Sequence, residues 1–320
     1  MPVAIPQPLR KAVYPVANAA LRLHGRTRSR SYPIENTIVV ASTGRGGSTW
    51  LAEIVNTLPG YHMLWEPLHL KNNPVCQRYG FTWQNYIRPD EEAPVKSRYV
   101  RSLLTGAELT TGTLSSLSLQ PSRLLWPRGY TVKFVNANMM LGWMLRRFPV
   151  RAVLMVRHPC AVVASQLAHG GWKGLTKDVL TIPAGLLDDY PHLRDVFEDI
   201  ERPEEVLAFE WSVATLVPLR HPAPHPWLLT TYEWLVEDGH NEVDRLFGHL
   251  GEPVPAAAYD HLRKASATVS DESNLAVGRD VLTGWRHRLS PSQVDNVVRV
   301  AHDAGVTVYD RAARPHLDRA

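Results

Sequence analysis

Six residues between two apolar runs have the makings of an anion site. Ser42-Thr43-Gly44-Arg45-Gly46-Gly47 separates Ile38-Val39-Val40-Ala41 from Ser48-Thr49-Trp50-Leu51. The first run is short, apolar and rich in β-branched residues, the pattern of a buried parallel strand. Ser48 and Thr49 are N-capping types at the head of a helix that continues through Ile54 and Val55. Strand, glycine turn and helix N-terminus make a phosphate cradle. Glycines let backbone N–H groups crowd an anion, and the helix dipole favours negative charge there. The nucleotide-kinase loop ends in Gly-Lys-Ser/Thr; here Gly47, not Lys, precedes Ser48. A plain Gly-rich turn between strand and helix has the same form.

A second basic group stands at a comparable place. Ala152–Val156 is another apolar strand, Arg157 follows it, His158-Pro159 opens a helix with Pro at an early position, and Ser165 lies two turns in. In open α/β sheets, ligands bind beyond the carboxyl ends of the strands.

Three further side chains suit proton transfer and charge stabilisation. Glu66 ends the strand Tyr61–Trp65, just before Pro67, and His69 follows. A carboxylate or an imidazole at a strand end can take a proton; each can equally serve the fold, the Glu as a helix cap. Lys133 lies inside the apolar strand Thr131–Val135, where an amine must reach a charge or snorkel to an edge.

These stretches resemble the PAPS-dependent sulfotransferases, which use 3′-phosphoadenosine 5′-phosphosulfate (PAPS). That family's loop runs Lys or Arg, Ser or Thr, Gly, two Ser or Thr, then an aromatic residue or Leu; this one reads Arg45-Gly46-Gly47-Ser48-Thr49-Trp50. Its 3′-phosphate motif is strand, Arg, Asp, Pro and a helix with Ser eight residues after the Arg. Arg157 and Ser165 keep that spacing, and His158 departs from the Asp. The run Thr231–Pro255 resembles the family's next strand and helix. The motif style is closest to the glycan and bacterial members.

The resemblance implies a three-layer α/β/α fold with a mostly parallel central sheet, similar to P-loop kinases in architecture. It implies PAPS as co-substrate with no metal. Gly44, Arg45, Gly46, Gly47, Ser48 and Thr49 would hold the 5′-phosphosulfate, Trp50 would stack on adenine, and Arg157 and Ser165 would hold the 3′-phosphate. Arg279 is the expected contact from a late basic loop, with Arg286 second. Glu66 would be the general base, His69 the alternative base, and Lys133 with Arg45 would stabilise the leaving group. The expected reaction is sulfuryl transfer to a hydroxyl of a carbohydrate, glycolipid or small metabolite. A P-loop nucleotide-dependent kinase and a non-catalytic PAPS-binding module are the alternatives.

The elements that must position these groups fit one large α/β domain of a 320-residue chain. A basic extension, 1–35, precedes the domain, 36–312, in which 70–128 reads as an acceptor-side insertion; a tail, 313–320, follows. His169-Gly170-Gly171-Trp172-Lys173-Gly174 reads as an acceptor loop, and helices are expected over Met139–Phe148, Glu204–Leu219 and Asn241–Leu250. Residues 188–202 read as one solvated acidic helix face. A net charge of +4 suits an anionic co-substrate without calling for nucleic acid. Cys76 and Cys160 form neither a CxxC pair nor a disulfide framework, which fits a reducing, cytoplasmic setting. Val13–Leu23, flanked by Arg and Lys, is read as a short helix packed on the domain, with peripheral contact to an anionic membrane as the alternative.

Overall fold

A computed structural model describes residues 7–114, 127–264 and 281–318. Five parallel strands form one sheet: β1 (Thr37–Ser42), β2 (Tyr61–Trp65), β3 (Gly129–Phe134), β4 (Arg151–Val156) and β5 (Leu228–Thr231). Their order is β2-β3-β1-β4-β5, so β1 is central. The chain leaves β1 toward one edge, returns through β3, then crosses β1 to build the other side. That reversal opens a crevice beyond the carboxyl ends of β1 and its neighbours.

The strands are apolar runs because both faces are covered. Along β1, Val39 and Ala41 join one core with α3 (Pro94–Leu104), α4 (Pro159–Ala168), α5 (Pro203–Leu219) and α8 (Pro291–Asp303). Ile38 and Val40 join the other with α2 (Ser48–Val55), α6 (Gly239–Leu250) and α7 (Ala256–Leu262). This period-2 alternation makes three layers, α/β/α, as expected.

Boundaries shift where tertiary contacts decide them. β3 begins at Gly129 because it pairs with Tyr61 of β2, and a Cβ there would come within 2.4 Å of the Tyr61 ring. The helix expected over Met139–Phe148 is a 3-10 turn, Asn138–Met140, followed by an α-helix, Leu141–Arg147. The acidic stretch is not one solvated helix. It divides into Ala184–Asp189 and Leu193–Asp199 around Pro191, and Asp189 accepts hydrogen bonds from Arg88 and Tyr86. At the amino end, α1 (Gln7–Ser29) lies against the domain. A Cβ on Gly25 would come within 2.2 Å of the Gly106 carbonyl, and Arg22 and Arg26 pair with Glu108. Its outer side exposes Val16 and Leu23. Among the described residues no helix is long and apolar enough to cross a membrane.

Candidate functional site

The loop after β1 is held tightly. Gly46 N–H donates to the Thr43 carbonyl, and the Gln166 amide on α4 donates to the Gly44 carbonyl at 3.0 Å. Gly47 has φ +96°, and a Cβ there would meet the Tyr232 ring at 2.7 Å, so glycine is required on two counts. Gly44 lies under the Trp172 ring, and a Cβ on Gly46 would strike Ser42 Oγ. Gly47 ends the turn in the left-handed conformation with no side-chain cap on α2, whose first residues, Ser48 and Thr49, line the cleft.

Arg45 also has positive φ, +72°, a conformation uncommon for a residue with a side chain. It sends the guanidinium to α4, where Nε donates to Ser165 Oγ at 2.9 Å. Arg157 lies alongside. Its guanidinium stacks 3.9 Å above the Tyr232 ring, Nη1 donates to the Arg45 carbonyl at 3.4 Å, and Nε is buried with no hydrogen-bond partner among the described residues. Burial, then the positive charges of Arg157 and Arg288, hold Arg45 below its ordinary pKa. Among the described residues neither Arg45 nor Arg157 forms an ion pair with a carboxylate. Two neighbouring guanidiniums without such a pairing, beside the head of a helix, suit an anion, and the acid whose pKa the Arg157 charge lowers, against burial, is Glu233.

His158 caps the helix that it opens. Its Nδ1 accepts from Cys160 N–H and caps α4, while Nε2 is 2.9 Å from the Asp310 carbonyl. That pattern requires the neutral tautomer with the proton on Nε2. Burial pushes its pKa down to about 4. The ring stacks on Trp285 at 4.7 Å. Glu233 accepts from His158 N–H and Tyr309 O–H.

At the β2 and β3 ends, Glu66 adopts φ +41° and its N–H donates to the Lys133 carbonyl. The Lys133 ammonium bonds Glu66 Oε1 and stands 3.9 Å over the Trp65 ring. Lys133 is 1% exposed, so its charge depends on that carboxylate and ring. Burial lowers the Lys133 pKa and the Glu66 charge opposes it. His69 Nε2 sits 4.0 Å from the other oxygen, Glu66 Oε2, and burial lowers the imidazole pKa as well. Asn72 N–H approaches His69 Nδ1 at 3.4 Å, which leaves the neutral ring's proton on Nε2, facing the carboxylate.

Both groups line one cleft of about 1000 Å³. Of the candidates from sequence, Gly44, Arg45, Gly47, Ser48, Thr49, Trp50, Glu66, His69, Lys133, Arg157 and Ser165 line it; Gly46 shapes the loop behind them. Trp50 is 8% exposed, donates its indole N–H to the His261 carbonyl and tilts against Tyr232 at 5.4 Å. Arg279 lies outside the described residues. Arg286 turns elsewhere, to the Arg311 carbonyl, and Arg288 is the late residue whose charge is felt at Arg45. Of the aromatic and Arg residues in 70–128, Trp83 reaches the cleft, whereas Tyr99 is buried on Asn73 and Tyr79. Tyr232, Gln166, Arg288 and Glu210 were not singled out from sequence. Tyr232, the first residue after β5, was findable by the strand-end rule that located Arg157.

No family model matches the chain, and no curated protein matches it. Solved structures similar to it include the sulfotransferase domain of the Synechococcus PCC 7002 olefin synthase, at 16% identity and TM-score 0.46, covering 86% of this chain and 95% of that one. The sulfotransferase domain from the curacin biosynthetic pathway gives 16% and 0.46, over 83% and 95%. A mouse sulfotransferase complexed with PAP gives 14% and 0.45, over 91% of each chain.

Proposed function

We propose that the protein transfers a sulfuryl group from PAPS to an acceptor hydroxyl on a carbohydrate, glycolipid or small metabolite. The observation that carries this is one cleft holding an Arg45–Arg157 pair, with no ion-pair partner among the described residues, at one set of strand ends and a buried Glu66–Lys133 pair at another. An anionic co-substrate with a terminal transferable group fits that division: its phosphates would meet the arginines and its terminal group would face Glu66 and Lys133. The loop amides and Arg45 would hold the 5′-phosphosulfate; Arg157, Ser165 and Arg279 would hold the 3′-phosphate; Trp50 and Tyr232 would flank the adenine. Bound there, PAPS supplies an activated sulfuryl group.

The chain's own residues do the rest. Oε1 of Glu66 is engaged by Lys133, and His69 Nε2 stays 4.0 Å from Oε2, beyond hydrogen-bond reach, so Glu66 Oε2 would be the open proton acceptor for an acceptor hydroxyl. Lys133, released as Glu66 takes that proton, would stabilise negative charge on the departing phosphate oxygen. Lys133, 1% exposed beside the Trp65 ring, is itself shielded from water, which strengthens its interactions. Peripheral contact with an anionic membrane is supported by the outward Val16 and Leu23 on α1. A Val16→Glu, Leu23→Glu double variant that sediments with anionic vesicles as well as the unaltered protein would remove that contact.

The test of function is calorimetric titration with adenosine 3′,5′-bisphosphate beside AMP and ATP. Tight binding of the bisphosphate, lost in Arg157→Ala, is expected. Preference for ATP with Mg²⁺ would overturn the reading in favour of a kinase. Bisphosphate binding without transfer to any hydroxyl in an acceptor screen would leave a binding module.

A further inference from the structure

The cleft has one acid that neither the anion site nor proton transfer uses. Glu210 is the lone charge in the apolar stretch 206–217 of α5, and its neighbours Phe209 and Trp211 are buried in the core. Gln84, from the segment after β2, donates to Oε1 at 2.8 Å. The other oxygen, Oε2, is shut off from solvent and has no hydrogen-bond partner among the described residues. Trp83, Trp172 and Leu180 line the same cleft. Burial pushes the Glu210 carboxyl up to about 7, with hydrogen bonding from Gln84 and from the Trp172 side chain opposing it only in part.

A carboxyl in this position is costly unless something compensates it. A phosphate or sulfate would be repelled, so this part of the cleft is not an extension of the anion site. A neutral hydroxyl would satisfy the lone pair but leave the charge. A cation satisfies both, and indole faces attract cations. We propose that Glu210 is a specificity-determining residue: the acceptor carries a protonated amine that seats on Glu210 Oε2, with an apolar body along the Trp-lined wall and the reacting hydroxyl at Glu66. The hydroxyl end of this statement rests on the sulfuryl-transfer reading; the amine end rests on Glu210 alone.

The experiment is calorimetry on the full chain in three steps. Adenosine 3′,5′-bisphosphate is titrated first, into the unaltered protein and Glu210→Gln, and equal affinities are expected. Phenethylamine and 2-phenylethanol, matched in size, are then titrated into each with the bisphosphate present. A charge-assisted hydrogen bond gives the amine an advantage of about tenfold or more in the unaltered protein, and Glu210→Gln removes it. Equal affinities for amine and alcohol in the unaltered protein, or a preference that survives Glu210→Gln, would overturn the proposal. Finally, if the bisphosphate does not bind but the amine preference holds, the sulfuryl-transfer reading fails and the amine site stands.

Discussion

At the scale of single residues, Glu66 is the group on which the chemistry turns. It is held between Lys133 and His69, and only its Oε2 has spare capacity. Glu66→Gln keeps the shape and removes the basicity. Turnover is expected to fall about 10²–10⁴-fold, the usual range for losing a general base, with bisphosphate affinity retained. His69→Gln keeps an N–H facing the carboxylate and should cost less; a His69 loss that exceeds the Glu66 loss would exchange their roles. His158 makes a different prediction. Its folded pKa of about 4 lies below the ordinary histidine value, so as pH falls the unfolded chain takes up a proton first. The stability contributed by the neutral ring is therefore complete above about pH 6.5 and is lost progressively toward pH 4, by at most about 3 kcal/mol. Glu233, whose pKa burial raises, acts in the opposite sense, so the test is a comparison. Urea unfolding of the unaltered protein and His158→Asn should show a stability gap that narrows between pH 7 and pH 4. A constant gap would mean that the ring is not titrating as described.

At the scale of elements, the loop between β1 and α2 places strain and like charge in one turn. Arg45 occupies a left-handed backbone conformation and faces Arg157 and Arg288. Arg45→Gly relieves the backbone strain, worth about 1 kcal/mol, and removes a repelling charge. The variant is expected to melt at a higher temperature than the unaltered protein while binding the bisphosphate about tenfold more weakly or worse. A variant that loses both stability and affinity would show that the Arg45–Ser165 bond serves the fold. The same elements explain what was legible in the sequence. The five strands could be read because parallel strands covered on both faces are written as apolar runs, and Lys133 stood out as the charge inside one of them. Arg157 and Glu66 could be placed because strand ends are where such sheets open. Gln166 and Tyr232 could not be joined to the loop, because Gln166 and Gly44 are 122 residues apart and only packing brings them together. Glu210 was visible as the lone charge in an apolar helix, but helical periodicity alone assigns that stretch to the core. The division of 188–202 was marked by Pro191, which an acidic composition obscures.

At the scale of the whole molecule, the anion site sits where the two cores meet. β1 feeds both of them, α2 packs on one side and α4 on the other, and the 281–290 segment brings Arg288. An anion that bonds α2 amides, Arg45, Arg157 and Ser165 together ties these parts into one unit and cancels repulsion that the folded chain otherwise carries. Ligand at 100 times its dissociation constant stabilises the folded state by about 2.7 kcal/mol, so adenosine 3′,5′-bisphosphate should raise the melting temperature by a few degrees. AMP at the same concentration should do much less, because it lacks the 3′-phosphate proposed to bind Arg157 and Ser165. Because the stabilisation arises from charge in a cleft open to solvent, the bisphosphate shift at fixed ligand concentration should shrink as salt rises from about 0.05 to 0.5 M, as screening shortens toward a few ångströms. Arg157→Ala should lose both the shift and its salt dependence while keeping its own melting temperature close to that of the unaltered protein. A shift of equal size with AMP, or one indifferent to salt, would mean that nucleoside contacts rather than the paired arginines carry the affinity, and would move the centre of the site from α4 to Trp50 and Tyr232.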